Sequence, residues 1–146
     1  MSYRIENVEQ FTKLWTSIYN TQGKPDWSGM LPYYDEQIYF RDTVQEIHGK
    51  KKFIEMTERL VKRSQDLKMK IINAFMHERI IFIEWEMTLS FNKLPNSKMY
   101  GASRLNLNKD GMIIKQRDYY DLWGDIMDNI PGIGKGYRKF MQKVFG

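Results

Sequence analysis

The chain has 146 residues, 42% hydrophobic, 28% charged and 14% aromatic, with a formal net charge of +5 and no cysteine. That length suits one domain around a single core, and the composition is that of a folded globular protein rather than a disordered one. The cysteine count excludes disulfides, thiolate metal sites and cysteine nucleophiles and is compatible with the cytoplasm; no signal-peptide core and no membrane-spanning apolar run is found, so a soluble protein is expected. The charge is unevenly placed. Lys135, Arg138, Lys139 and Lys143 crowd the last dozen residues with no acidic neighbour, which leaves the preceding 134 residues nearly neutral. The basic signal therefore belongs to a tail, and without a stripe of alternating basic and aromatic positions in the strands no nucleic-acid partner is expected.

In chain order, Val8, Phe11, Leu14, Trp15, Ile18 and Tyr19 make one face of an amphipathic helix that begins at Glu6 or Asn7 and ends at Gln22-Gly23-Lys24-Pro25. Asp26 can cap a short second helix with Trp27, Met30, Leu31 and Tyr34 on one face, interrupted by Pro32. Residues 37–42 read as a strand in which Ile38, Phe40 and Asp42 point the same way. A third helix starts near His48-Gly49 and buries Phe53, Met56, Leu60 and Val61.

Beyond it the period changes from helical to alternating. Strands are expected over 67–77, 79–92, 98–107 and 112–122, with a hairpin loop at 92–97 and an Asp-Gly turn at 108–111. In the second of these strands Ile81, Ile83, Trp85, Met87, Leu89 and Phe91 alternate with Glu84, Glu86, Thr88 and Ser90, giving one apolar and one wet sheet face. Residues 125–129 look helical, 131–136 form a glycine-rich joint and 137–145 a short basic helix. The fold class is α+β: a curved antiparallel sheet with three N-terminal helices on its concave face, a pocket domain over 1–130 and a basic tail over 131–146 that packs on the domain or on a partner.

Three local patterns carry a resemblance: Tyr34-Asp35-Glu36-Gln37-Ile38-Tyr39-Phe40-Arg41-Asp42 leading into His48-Gly49, then Glu84-Trp85-Glu86, then Gln116-Arg117-Asp118-Tyr119-Tyr120-Asp121. Together with the element order they resemble the nuclear-transport-factor-2-like, or SnoaL-like, superfamily of ketosteroid isomerase, limonene epoxide hydrolase and polyketide cyclases, over residues 8 to about 122. The resemblance implies a cone-shaped α+β roll around one pocket. It sets Asp42 where ketosteroid isomerase keeps its general base, with Trp15 near that enzyme's tyrosine donor and Ser103 near its protonated aspartic acid, so the oxyanion hole is missing. Asp118 falls on one aspartate of the epoxide hydrolase, whose arginine and second aspartate are replaced by Trp85 and Met87. Neither mechanism transfers whole. The resemblance also implies a homodimer formed through the outer sheet face.

With strand parity added, the expected pocket is lined by Trp15, Ile38, Phe40, Trp85, Met87, Leu105 and Leu107, with Asp42, Ser103 and Asp118 as its polar groups and Tyr120 among the nearby phenols. Asp42 and Asp118 are the candidate catalytic residues, since a carboxylate against apolar walls has its pKa raised and can move a proton near neutral pH. The competing reading has Asp42 ordering the turn before the third helix and Asp118 pairing with Arg41, Arg104 or Arg117. The functional expectations are cofactor-independent acid-base chemistry on a small hydrophobic molecule, or ligand binding or assembly without turnover. His48 and His77 lack metal-ligand spacing and no phosphate loop is present, so neither metal nor nucleotide cofactor is expected. The tail mixes Ile133, Tyr137, Phe140, Met141, Val144 and Phe145 with its cations, which leaves membrane-surface contact open beside packing on the domain or a partner.

Overall fold

The computed structural model describes residues 2–19, 23–64, 66–91, 94–126 and 130–146, without the side chains at 90, 91 and 94–96. Helix α1 (Val8–Tyr19) starts as its sequence dictates: the Asn7 side chain accepts from the Gln10 amide at 2.8 Å, and Gln10 Oε1 accepts in turn from the Glu6 amide at 2.7 Å. Such a cap is worth about 1 kcal/mol. Its buried face is Phe11, Trp15, Ile18 and Tyr19.

The second helix expected after Asp26 does not form. Pro32 lacks an amide hydrogen and restrains the residue before it, so the segment makes only a single tight turn at Leu31–Tyr33. Tyr34 already belongs to strand β1 (Tyr34–Arg41), which is longer than the strand expected there. The chain continues as β2 (Glu46–His48), α2 (Lys50–Arg63), β3 (Asp66–His77), β4 (Ile80–Phe91), β5 (Leu94–Leu107) and β6 (Ile113–Tyr120). One wide helical turn at Leu122–Ile126 and the helix α3 (Gly134–Phe145) complete it. The expected 92–97 loop is shorter than anticipated, because β5 begins at Leu94; residues 92 and 93 lie outside the described residues, as do 127–129 of the expected 125–129 helix.

The fold is α+β, with a six-stranded, unclosed curved sheet in the order β2-β1-β6-β5-β4-β3. It is not wholly antiparallel: β1 runs parallel to β6, with Phe40 beside Gln116 and Arg41 beside Arg117. Hairpin turns specify only neighbours in sequence, and no turn signature encodes this pairing of the first strand with the last. The Asp-Gly turn before β6 is as expected, with Gly111 at φ +80° and Asn108 Oδ1 accepting from the amides of Asp110 and Met112 at 2.9 and 3.0 Å.

The inner face of the sheet packs against α1 and α2 in cross-strand layers. Ile83 lies opposite Ser103 and Ser103 opposite Asp118; Trp85 lies opposite Gly101 and Gly101 opposite Tyr120. Gly101 is required there. A Cβ at that position would run into the Trp85 ring and approach the Tyr119 carbonyl oxygen to 2.7 Å, whereas glycine lets the rings of Trp85 and Tyr120 come within 6.3 Å across it. Helix α3 is tied back by the stack of Tyr137 on Trp123 at 4.8 Å, yet Phe140, Val144 and Phe145 remain exposed. No helix among the described residues is long and apolar enough to cross a membrane.

Candidate functional site

Between the sheet and the helices lies a cavity of about 390 Å³. Its walls are mostly aromatic and thioether: Trp15 and Tyr19 from α1, Phe53 from α2, Met69 from β3, Trp85 and Met87 from β4. Trp15 and Trp27 meet edge to face at 6.0 Å, and the Trp15 indole N–H points at Met69 Sδ, 2.7 Å away. The Trp27 indole N–H is buried without an acceptor among the described residues.

One hydrogen-bonded network at the cavity wall centres on Asp118. Strand alternation turns this residue inward while Arg117 and Tyr119 point outward, where the Arg117 guanidinium lies 4.9 Å from the Tyr119 ring centre. Asp118 Oδ1 accepts from Ser103 Oγ at 2.7 Å and from Gln116 Nε2 at 3.0 Å. The network extends outward on both sides: Trp85 Nε1 donates to Ser103 Oγ at 3.0 Å, and the Tyr34 hydroxyl donates to Gln116 Oε1 at 2.6 Å. Four side chains thus hold one carboxylate in a fixed orientation.

Burial raises the Asp118 pKa from 3.8 to about 6; the bonds from Ser103 and Gln116 oppose the rise, and the negative charge of Asp42 adds to it. Three phenols surround this carboxylate. Tyr19 and Tyr34 are held well above the ordinary tyrosine pKa by burial and then by the field of Asp118, and Tyr120 by burial and then by Asp42, with Asp118 contributing less. All three are therefore neutral hydroxyl groups near pH 7.

Asp42 lines the same cavity, but its Oδ1 accepts from the amides of Val44 and Gln45, both at 2.8 Å. It orders the turn between β1 and β2. Asp118 takes none of the arginine partners considered for it from the sequence; its partners are neutral. Of the other residues singled out, Trp15, Phe40, Trp85, Met87 and Tyr120 line the cavity. Ser103 and Leu105 do not: both are fully buried, Ser103 behind Asp118 as its donor and Leu105 in the core between Ile81 and Gln116. Ile38 and Leu107 likewise belong to the core rather than the lining.

Sequence reasoning missed Gln116, which shares strand parity with Asp118 and could have been found by it. It also passed over Tyr19 as a site residue, since helix periodicity marks it only as core. From α2 the cavity takes Met56, Arg59, Leu60 and Arg63. His48 packs on the Tyr39 ring at 4.8 Å beside Glu46, away from the lining residues. Among the described residues no group of three or more histidine, aspartate or glutamate side chains is placed to hold a metal ion.

A family model described as SnoaL-like domain matches residues 9–116. The chain belongs to that family. No curated protein sequence matches this SnoaL-like chain. Among solved structures it is similar to an LEH-like epoxide hydrolase of M. tuberculosis, at 14% identity and a TM-score of 0.66 over 93% of this chain and 98% of that one. It is also similar to a protein of ketosteroid isomerase-like fold from Catenulispora acidiphila in complex with trimethylamine, at 13% identity and a TM-score of 0.69 over 82% of this chain and 92% of that one. An NTF2-like protein of unknown function from Exiguobacterium shares 16% identity and a TM-score of 0.61 over 77% of this chain and 96% of that one. At these identities the likeness is one of fold.

Proposed function

We propose that this SnoaL-like domain binds a small hydrophobic molecule carrying a carbonyl or hydroxyl oxygen in its cavity and moves a proton on it without a cofactor. The observation that supports this reading is Asp118: a carboxyl with a pKa of about 6, oriented by Ser103 and Gln116 and bordering an aromatic cavity. A base of that strength is ionised at neutral pH and remains a usable acid after taking a proton. In this scheme Asp118 abstracts a proton from the carbon next to a carbonyl. A neutral phenol, Tyr19 or Tyr120, then donates a hydrogen bond to the oxygen on which negative charge develops. Asp42 acts through its charge, raising Asp118, rather than as the base.

The test is isomerisation of a small apolar β,γ-unsaturated ketone, followed by absorbance. Asp118→Asn is expected to lose about 100-fold or more in rate, while Asp42→Asn loses less. Equal rates in wild type and Asp118→Asn would remove the proton-transfer role. The second reading is a binding module without turnover, favoured by the extent to which Asp118 Oδ1 is already engaged by two donors. Tight binding with no chemical change in either protein would select it.

We further propose a homodimer through the outer sheet face, where Phe75, Tyr100 and Tyr119 are exposed. Arg41, Arg117 and Arg104 lie in adjacent register there, with Glu84 and Glu86 on β4. A two-fold axis would set the basic half of one face against the acidic half of the other. The proposed setting is the cytoplasm, since a chain built without disulfides needs no oxidising compartment.

A further inference from the structure

We infer that the cavity's ligand is an anion, an apolar molecule carrying a carboxylate, sulfonate or phosphate group, and that Arg59 and Arg63 hold that group. The inference rests on the cavity reading above and adds the charge of the ligand. Arg59 and Arg63 stand one turn apart on α2, so their side chains lie one above the other on the face that also carries Met56 and Leu60, and all four line the cavity. Neither arginine makes an ion pair among the described residues. Glu55 and Glu58 on the same helix leave them unpaired. The two acids of the lining are otherwise engaged: Asp42 Oδ1 with the Val44 and Gln45 amides, Asp118 Oδ1 with Ser103 and Gln116. Asp42 is the charge that acts on Asp118, and no arginine is among its perturbing groups.

Two arginines at exposed positions of α2 therefore border a largely apolar cavity, and among the described residues no protein anion pairs with either. Like charges one helical turn apart repel each other, and a bound anion between them removes that repulsion while accepting the paired N–H groups that guanidinium presents. A structural explanation is available for Arg63, which lies with Lys62 in the last turn of α2 and complements the helix dipole. It does not extend to Arg59, which lies a turn earlier, and it does not require either side chain to border the cavity. The apolar body of the ligand would lie against Trp15, Phe53 and Met87, with its reacting oxygen toward Asp118 and its anionic group toward α2.

The experiment uses two fluorescent probes with the same aromatic skeleton, 8-anilino-1-naphthalenesulfonate and its neutral counterpart N-phenyl-1-naphthylamine, titrated into the full chain at low salt. The double variant Arg59→Gln/Arg63→Gln is compared with Lys51→Gln/Lys52→Gln, which removes the same net charge from exposed positions of the same helix. The expected result is about a tenfold weakening of the sulfonate probe in the arginine variant alone, as two exposed ion-pair contacts allow, with the neutral probe within twofold throughout. Dodecanoate should displace the sulfonate probe from wild type and do so poorly from the arginine variant. Equal weakening in the lysine control, equal loss of both probes, or no change would overturn the anion assignment while leaving the cavity reading in place. Failure of both probes to bind wild type would remove the cavity reading and the anion with it.

Discussion

The two faces of the sheet are built from alternate residues of the same strands, yet they solve different problems. On the inner face Ile83, Trp85 and Met87 are buried, and each polar group among them has a partner: Ser103, Gln116, Asp118 and Tyr34 form one connected network. On the outer face Arg104 lies directly across from Arg117, and Arg117 across from Arg41. Glu84 meets Asn73 at 2.8 Å, and Glu86 meets Lys98 at 3.0 Å rather than the arginines of the neighbouring strands. Arg104 and Arg117 are half-buried, and Arg104 Nε has no partner among the described residues, so solvent tempers a like-charge contact that would be prohibitive fully inside. The comparison teaches where precision is needed: the inner face fixes one carboxylate by geometry, whereas the outer face tolerates imperfect pairing because solvent or another protein can complete it.

The largest way to break this contrast is Gly101→Val. The new side chain would compete for the space of the Trp85 ring and press on the Tyr119 carbonyl. Overpacking of this kind costs about 3 kcal/mol, and here it also displaces the indole that donates to Ser103. Chemical denaturation should show a lowered midpoint, and the near-ultraviolet circular dichroism of the tryptophans should change. A Gly101→Val protein with wild-type stability would mean that Trp85 is not fixed against this strand. An added side chain on the solvent side of the same strand, as in Ala102→Val, should shift the midpoint by no more than about 0.5 kcal/mol.

Asp118 gives the next effect, and its sign depends on pH. Because folding raises this carboxyl from 3.8 to about 6, the folded chain still holds a proton here in a pH range where the unfolded chain has released it. Stability from this group is therefore greatest below pH 3.8 and falls as the pH rises through about 6. Above that window the buried charge costs at most about 3 kcal/mol. Asp118→Asn removes the charge, so its melting temperature relative to wild type should be higher at pH 8 than at pH 4. An equal difference at both pH values would mean that Asp118 is not held near pH 6 by burial. A variant that is more stable at pH 8 yet inactive would also separate loss of the base from loss of the fold.

The inner face was largely legible in the sequence because strand alternation is a local property: Ile81 through Leu89 bury every second residue as their pattern requires. Parity likewise turned Asp42 and Asp118 inward, and both line the cavity. What parity could not assign was which partners each carboxylate takes. Asp42 spends its Oδ1 on two backbone amides only two and three residues away, a turn geometry that its sequence permits but does not announce. Arg59 and Arg63 escaped notice because helix periodicity marks apolar stripes, and a cation at the edge of such a stripe looks the same whether it meets water or a cavity. The parallel pairing of β1 with β6 escaped for a related reason, since it joins segments about eighty residues apart with no local signature. The helix expected at Asp26 failed where tertiary packing overrode a short pattern: Trp27 and Met30 are buried, but on an irregular segment with Pro32 in its only helical turn.

The smallest expected effect on the chain's own stability concerns the outer face, and it sharpens the contrast rather than breaking it. Phe75 is 61% exposed and stacks on Phe82 with ring centres 6.1 Å apart and planes 9° from parallel. In a monomer, Phe75→Glu should change stability by no more than about 0.5 kcal/mol, as exposed substitutions do. In a homodimer closed through this face, the same change buries a carboxylate where a ring had been. Removing a buried aromatic side chain costs about 1.5–3 kcal/mol, so the dimer should weaken by tenfold or more. Sedimentation equilibrium at micromolar concentration reads this directly. Wild type should sediment as a dimer, and Phe75→Glu should shift toward monomer with its melting temperature at low concentration unchanged. A wild-type chain that sediments as a monomer at all concentrations would show that the outer face needs only water, and its row of arginines would then be explained by solvation alone.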